Sequence, residues 1–88
     1  MIKPQNKIPI IHTIAGSESS GSAGGQTDLR VFADNKCFGY ATWTSVVSFL
    51  PNQNWNHKFV ALDSQLLKEQ LEASTAMKPK SVKIGMLG

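Results

Sequence analysis

Ile8-Pro9-Ile10-Ile11-His12-Thr13-Ile14-Ala15 runs directly into Gly16-Ser17-Glu18-Ser19-Ser20-Gly21-Ser22-Ala23-Gly24-Gly25, an apolar, β-branched stretch followed by ten residues with four glycines and four serines. The first part suits a strand covered on both faces, as in a parallel sheet, and Pro9, without an N–H, sets its start at about residue 10. The second part reads as a loop from Gly16 to Gly25. Beyond it, Leu29, Phe32 and Ala33 recur at helical spacing, so a short helix is expected over roughly Gln26 to Asn35. Strand, glycine-rich turn and helix form the opening of an open α/β sheet.

The same pattern continues along the chain. Tyr40 to Phe49 is rich in Thr, Val and aromatic residues and reads as a second strand, ended by Pro51 and its Asn neighbours. Pro51 to Asn56 reads as a polar loop and Phe59 to Leu62 as a brief extended piece. Asp63 or Ser64 then caps a second helix whose stripe of Leu66, Leu67 and Leu71, with Met77 beyond, faces the sheet. Lys78-Pro79-Lys80 breaks that helix, and Ser81 to Gly88 reads as a third strand running into its terminal loop. The resulting fold class is α/β, a β-α-β-α-β unit with parallel strands and right-handed crossovers. Three strands and two helices leave a sheet edge and apolar surface bare, which predicts self-association.

Composition narrows the function classes. The 88 residues hold one small core; 41% hydrophobic and 17% charged residues exclude a disordered, solvating tail. The net charge is +3, but Arg30 and the eight lysines are scattered along the sequence, so no nucleic-acid partner is expected. The single cysteine, Cys37, excludes an internal disulfide and a cysteine-built zinc site and points to a reduced, cytoplasmic setting. No apolar run reaches the roughly 18 residues of a membrane span, and no signal peptide is recognised at the N-terminus.

Ligands of open α/β sheets sit beyond the carboxyl ends of the strands, so the loops after Ala15, Ser48 and Ile84 are expected to converge on one crevice. The glycine-rich loop invites a phosphate reading, yet Ser22 and Ala23 stand where a Walker loop needs Lys and Ser/Thr, and Gly-x-Gly-x-x-Gly is absent. Asp28, just inside the expected helix, is either a ligand-facing acceptor or a favourable charge in a first helical turn. His12 reads as a satisfied core histidine, and His57 as a loop residue, solvent-facing or gating. No metal constellation is visible. Phe49, at the carboxyl end of a strand, is the aromatic residue best placed to meet a ring.

Thr13-Ile14-Ala15-Gly16-Ser17-Glu18-Ser19-Ser20-Gly21-Ser22-Ala23-Gly24-Gly25-Gln26-Thr27-Asp28-Leu29 closely resembles the N-terminal signature of the hydroxymethylpyrimidine/phosphomethylpyrimidine kinases of the ribokinase-like superfamily, and Lys83-Ile84-Gly85-Met86-Leu87 resembles a later strand and loop of the same family. Within the signature, Glu18 stands for the usual Asp, Gly25 for an apolar residue and Thr27 for an Ala. The resemblance implies transfer of a γ-phosphoryl group from ATP, with Mg2+, to a hydroxymethyl on a small pyridine or pyrimidine, as in vitamin B6 or thiamine metabolism. It also implies that Gly16 approaches the ring, Asp28 hydrogen-bonds its polar edge or hydroxymethyl, and Val47 and Met86 line its faces. Phe49 stands where the pyrimidine kinases carry a Gln or Glu. Asn54-Trp55-Asn56-His57 is similar to the Trp-x-His loop of bacterial pyridoxal kinases, which suggests Trp55 and His57 as a loop gate and pyridoxal, pyridoxine or pyridoxamine as acceptor.

The family's catalytic Cys or Asp, its anion hole and its nucleotide site belong to later sequence, so the 88 residues are expected to form the acceptor-binding, N-terminal portion of one kinase domain. No catalytic residue is assigned here, a homodimer is expected, and the chain alone is expected to be inactive. Two readings compete with this one: an inactive fragment serving as a binding or self-associating module, and an unrelated flavodoxin-like phosphate-binding module.

Overall fold

The computed structural model describes residues 8–85. Its elements are β1 (Ile10–Glu18), α1 (Gly24–Asp34), β2 (Phe38–Leu50), a 3-10 turn (Pro51–Gln53), β3 (Asn56–Ala61), α2 (Ser64–Ala76) and β4 (Ser81–Ile84). They build a four-stranded sheet in the order β3-β2-β1-β4. β1 is parallel to both β2 and β4, and β3 is antiparallel to β2.

The α/β class and the alternation of strands and helices agree with the sequence reading, and three details differ. First, the extended piece expected at Phe59 to Leu62 is a full edge strand that starts at Asn56, so the sheet is mixed rather than three-stranded and parallel. The link from β2 turns back sharply because Asn54 and Trp55 both take positive φ, 57° and 61°, after the 3-10 turn. Second, β1 does not stop at Ala15. It passes through Gly16 to Glu18, with a register shift against β2 between Ala15 and Ser17. Third, α1 begins at Gly24 rather than Gln26, which leaves a loop of only Ser19 to Ala23.

Register decides which helix each strand residue meets. Thr13 pairs with Ala41 and Lys83 and lies on the α1 face; His12 pairs with Tyr40 and Val82 and lies on the α2 face. The inner face of α1 carries Gly25, Asp28, Leu29 and Phe32, the first two buried, while Ala33 points outward. On the other face, His12 Nε2 pairs with Thr42 Oγ1 at 2.7 Å, Thr42 Oγ1 with Ser74 Oγ at 2.9 Å, and the Tyr40 hydroxyl donates to the Ser74 carbonyl at 2.6 Å. His12 is the satisfied core histidine that the sequence suggested. Burial lowers its pKa below the ordinary 6.5, favouring the neutral ring that stacks on Tyr40.

Helix α2 is held in two further ways. Asp63 caps it, accepting from the amides of Gln65 and Leu66 at 2.7 and 3.0 Å, a contribution of about 1 kcal/mol. The Gln70 amide both accepts from Trp43 N and donates to Trp43 O, at 2.8 and 2.9 Å, closing the edge of β2 where β3 no longer reaches. Leu67 and Leu71 are half-buried as expected, but Leu66 remains 42% exposed because the inner face is shared with Gln70 and Ser74. Among the described residues, Ala15 is the one fully buried apolar side chain, and Thr13, Thr42 and Ser45 are the largest fully buried ones. The centre of the sheet is therefore polar and specified by hydrogen bonds.

Helix α1 lies so close to β2 that a Cβ on Gly25 would stand 2.8 Å from Cη2 of Trp43, inside contact distance. Gly25→Ala gains helix propensity but forces the indole aside, and the expected net result is a loss of about 1 kcal/mol in urea unfolding. Unchanged or raised stability would show that Trp43 does not limit the approach of α1.

Candidate functional site

The carboxyl ends of the parallel strands open onto a cavity of about 470 Å³, within the roughly 300–1,000 Å³ of small-molecule sites. Its floor comes from the sheet: Ala15, Gly16 and Glu18 of β1, Ser45 and Val47 of β2, His57 and Phe59 of β3, Lys83 of β4 and then Gly85. Ala23, Gly24, Thr27 and Asp28 form the side contributed by α1 and the turn before it. The segments after Ala15 and Ile84 reach the cavity as expected, but β2 contributes through Ser45 and Val47 rather than through residues after Ser48, and β3 adds a further wall.

Close approach is built into the floor. Gly16 faces Ser45 so tightly that a Cβ there would lie 2.6 Å from the Ser45 hydroxyl, so only glycine leaves that part of the cavity open. Ser45 is 1% exposed.

Asp28 brings the buried charge. It lies beyond the first turn of α1, so the dipole role open to it on sequence grounds does not apply. Thr13 Oγ1 donates to its Oδ2 at 2.8 Å and Lys83 Nζ to its Oδ1 at 2.5 Å. The Asp28 side chain is 12% exposed and that of Lys83 54%. With the lysine half in solvent, the ion pair adds at most about 1 kcal/mol to stability, so its effect is chiefly geometric.

The glycine/serine turn is satisfied from within. Glu18 accepts from Ser20 Oγ at 2.6 Å and from the amides of Ser20 and Ser22 at 3.1 Å each. Gln26 bridges Ser17 Oγ and the Glu18 amide, and Arg30 reaches the Gly21 carbonyl. The amides of Ser19 and Gly21 are taken by the carbonyls of Val47 and Glu18. The amides of Ser19, Ser20, Gly21 and Ser22 are thus all paired within the chain.

Residues 18–88 match the phosphomethylpyrimidine kinase family. The chain belongs to that family. This phosphomethylpyrimidine kinase family member is 40% identical over 76 residues to the pyridoxine kinase of Bacillus subtilis, an alignment covering 85% of the chain and 28% of that relative. It matches the solved pyridoxal kinase of Staphylococcus aureus, in complex with AMP-PCP and pyridoxal, with a TM-score of 0.90 at 32% identity over 94% of this chain and 30% of that one. The phosphomethylpyrimidine kinase of Clostridium difficile gives a TM-score of 0.77 at 34% identity, over 88% and 35% of the two chains. The chain spans about 28% of the length of the curated relatives it matches.

Of the residues singled out from the sequence, Gly16, Asp28, Val47 and His57 meet in the cavity. Phe49 and Trp55 are not among its lining residues. Phe49 is paired with His57 across β2 and β3, and the two rings stand 4.7 Å apart, so Phe49 backs the histidine. Trp55 is 65% exposed in the turn before β3. His57 lies in a strand rather than a loop. Met86 lies outside the described residues. Lys83, Ser45 and Phe59 were not foreseen; Lys83 had a signal, a lone lysine alternating with Val82 and Ile84 in a strand beside β1.

Hydrogen bonds to Glu18, that of the Ser20 hydroxyl foremost, hold its pKa below the ordinary 4.5 against the opposing effect of desolvation. A carboxylate with a depressed pKa stabilises the folded turn fully above its ordinary pKa, and that contribution is lost as pH falls through the lowered folded value. The amide protons of Ser20 and Ser22 are therefore expected to titrate together in NMR spectra, with a midpoint below 4.5. Separate midpoints, or one at or above 4.5, would show that Glu18 does not organise the turn.

Proposed function

We propose that this chain forms the acceptor-binding part of a kinase that transfers the γ-phosphoryl group of ATP to a hydroxymethyl on a small heteroaromatic vitamin precursor. The observation that carries this reading is the cavity itself: apolar walls, a glycine floor and the Asp28 carboxylate held by Thr13 and Lys83, in a fold that matches a pyridoxal kinase solved with pyridoxal and AMP-PCP. A flat ring fits between Gly16 and Val47, and Asp28 accepts a hydrogen bond from its hydroxymethyl or polar edge. Phosphoryl transfer depends chiefly on positioning and charge stabilisation, and these residues supply the positioning of the acceptor.

Pyridoxal or pyridoxine is the favoured acceptor and hydroxymethylpyrimidine the second. Phe49, which stands where the pyrimidine kinases carry a Gln or Glu, lies against His57, and His57 gives the cavity an aromatic side chain. Among the described residues no group of three or more His, Cys, Asp or Glu could hold a metal ion by itself. ATP and Mg2+ remain the cofactors of the whole kinase in this reading, with their main binding residues outside these 88 residues. The reading keeps a homodimer: among the described residues β3 and β4 are the edge strands, and Val82 and Ile84 on β4 are 50% and 64% exposed. No helix among the described residues is long and apolar enough to cross a membrane, and the reading keeps a cytoplasmic setting with no nucleic-acid partner.

The 88-residue chain, mass-verified and supplied with ATP, Mg2+ and pyridoxal, is expected to show no turnover while still binding pyridoxine. Asp28→Asn is expected to weaken that binding roughly ten- to a hundredfold, the loss of a hydrogen bond to a charged acceptor. Turnover by the isolated chain would overturn the assignment of catalysis to other sequence, and unchanged binding by the Asn variant would remove Asp28 from the acceptor site.

A further inference from the structure

Thr13 and Lys83 are register partners on β1 and β4, so both side chains rise from the α1 face side by side. Asp28 meets the pair from α1. Thr13, with no exposed surface, holds Oδ2, and Lys83 holds Oδ1. A carboxylate offers about four lone-pair sites on two oxygens. One site on each oxygen is taken, so the group cannot turn about its own axis without breaking a bond, and the remaining sites serve the cavity that Asp28 and Lys83 both line. Thr13 alone would fix one oxygen and leave the plane of the carboxylate free to swing.

We infer that Lys83 is a positioning residue for ligand recognition: together with Thr13 it fixes the plane of the Asp28 carboxylate, so that the cavity selects rings presenting a hydroxyl or N–H donor at that point. This rests on the reading that Asp28 contacts the acceptor. The selectivity has a chemical basis, because an oriented acceptor rewards a donor at one place and leaves an apolar or acceptor group unpaired there. Lys83 also ties edge strand β4 to α1, so the same bond that orients the carboxylate links the two elements across the site.

A double-mutant cycle on the full chain tests this, with pyridoxine as the probe because its alcohol, unlike an aldehyde, cannot condense with the Lys83 amine. Calorimetric affinities are compared for the wild type, Lys83→Met, Asp28→Asn and the double variant. Lys83→Met is expected to weaken binding roughly tenfold in the wild-type background and less than about twofold once Asp28 is Asn. Lys83→Arg is expected to restore most of the affinity. Equal losses in both backgrounds would mean that Lys83 touches the ligand or merely supports β4, and no loss would mean that Thr13 suffices; either overturns the inference. Should Lys83→Met fail to fold by circular dichroism, Lys83→Ala takes its place in the cycle with the same expected non-additivity, and additive losses there overturn the inference equally. An Asp28→Asn variant with wild-type affinity sinks the acceptor-site reading first and this inference with it.

Discussion

A single carboxylate ties this structure together. Asp28 descends from α1 onto Thr13 of the central strand and Lys83 of the edge strand, and those two side chains stand under it because their strands pair in that register. Shifting β4 by one residue would turn Lys83 to the other face and bring Val82 or Ile84 under the carboxylate. The clamp therefore depends on sheet register, and the cavity beside it depends on the clamp. Burying a carboxylate is tolerable only when its oxygens are paired, and here both are.

The opposite face follows a similar rule with neutral groups. His12, Thr42, Tyr40 and Ser74 pass hydrogen bonds from β1 through β2 to α2, and Gln70 completes the backbone of Trp43 where the sheet edge would otherwise be unpaired. Such networks specify one arrangement of helix on sheet because each member has few alternative partners. Among the described residues Ala15 is the one fully buried hydrophobic side chain, and Val46, Val60, Val82 and Ile84 on the strands are exposed.

Much of this was legible in the sequence. The β-branched run ahead of the glycines marked β1, Asp63 marked the start of α2, and the fold class followed from the alternation of patterns. The extension of β1 to Glu18 was hidden because glycines and serines signal a loop, while here β2 carries the compensating register shift. β3 was legible only in part, as an extended piece at Phe59 to Leu62; its start at Asn56 was hidden because all of its residues are exposed and its turn uses Asn54 and Trp55 rather than glycine at positive φ. Gly16, Asp28 and Val47 were singled out through the position of strand ends and the family resemblance, and they line one cavity. Lys83 needed the register of β4 against β1, which sequence alone does not state.

A heteroaromatic alcohol bound between Gly16 and the Asp28 carboxylate would be seen in two-dimensional 15N NMR of the chain titrated with pyridoxine. Saturable shifts are expected at Gly16, Asp28, Ser45, Val47, Phe59 and Lys83, with α2 and the His12 network unmoved. Shifts confined to α2 or the outer strand edges, or none at saturating ligand, would contradict binding there.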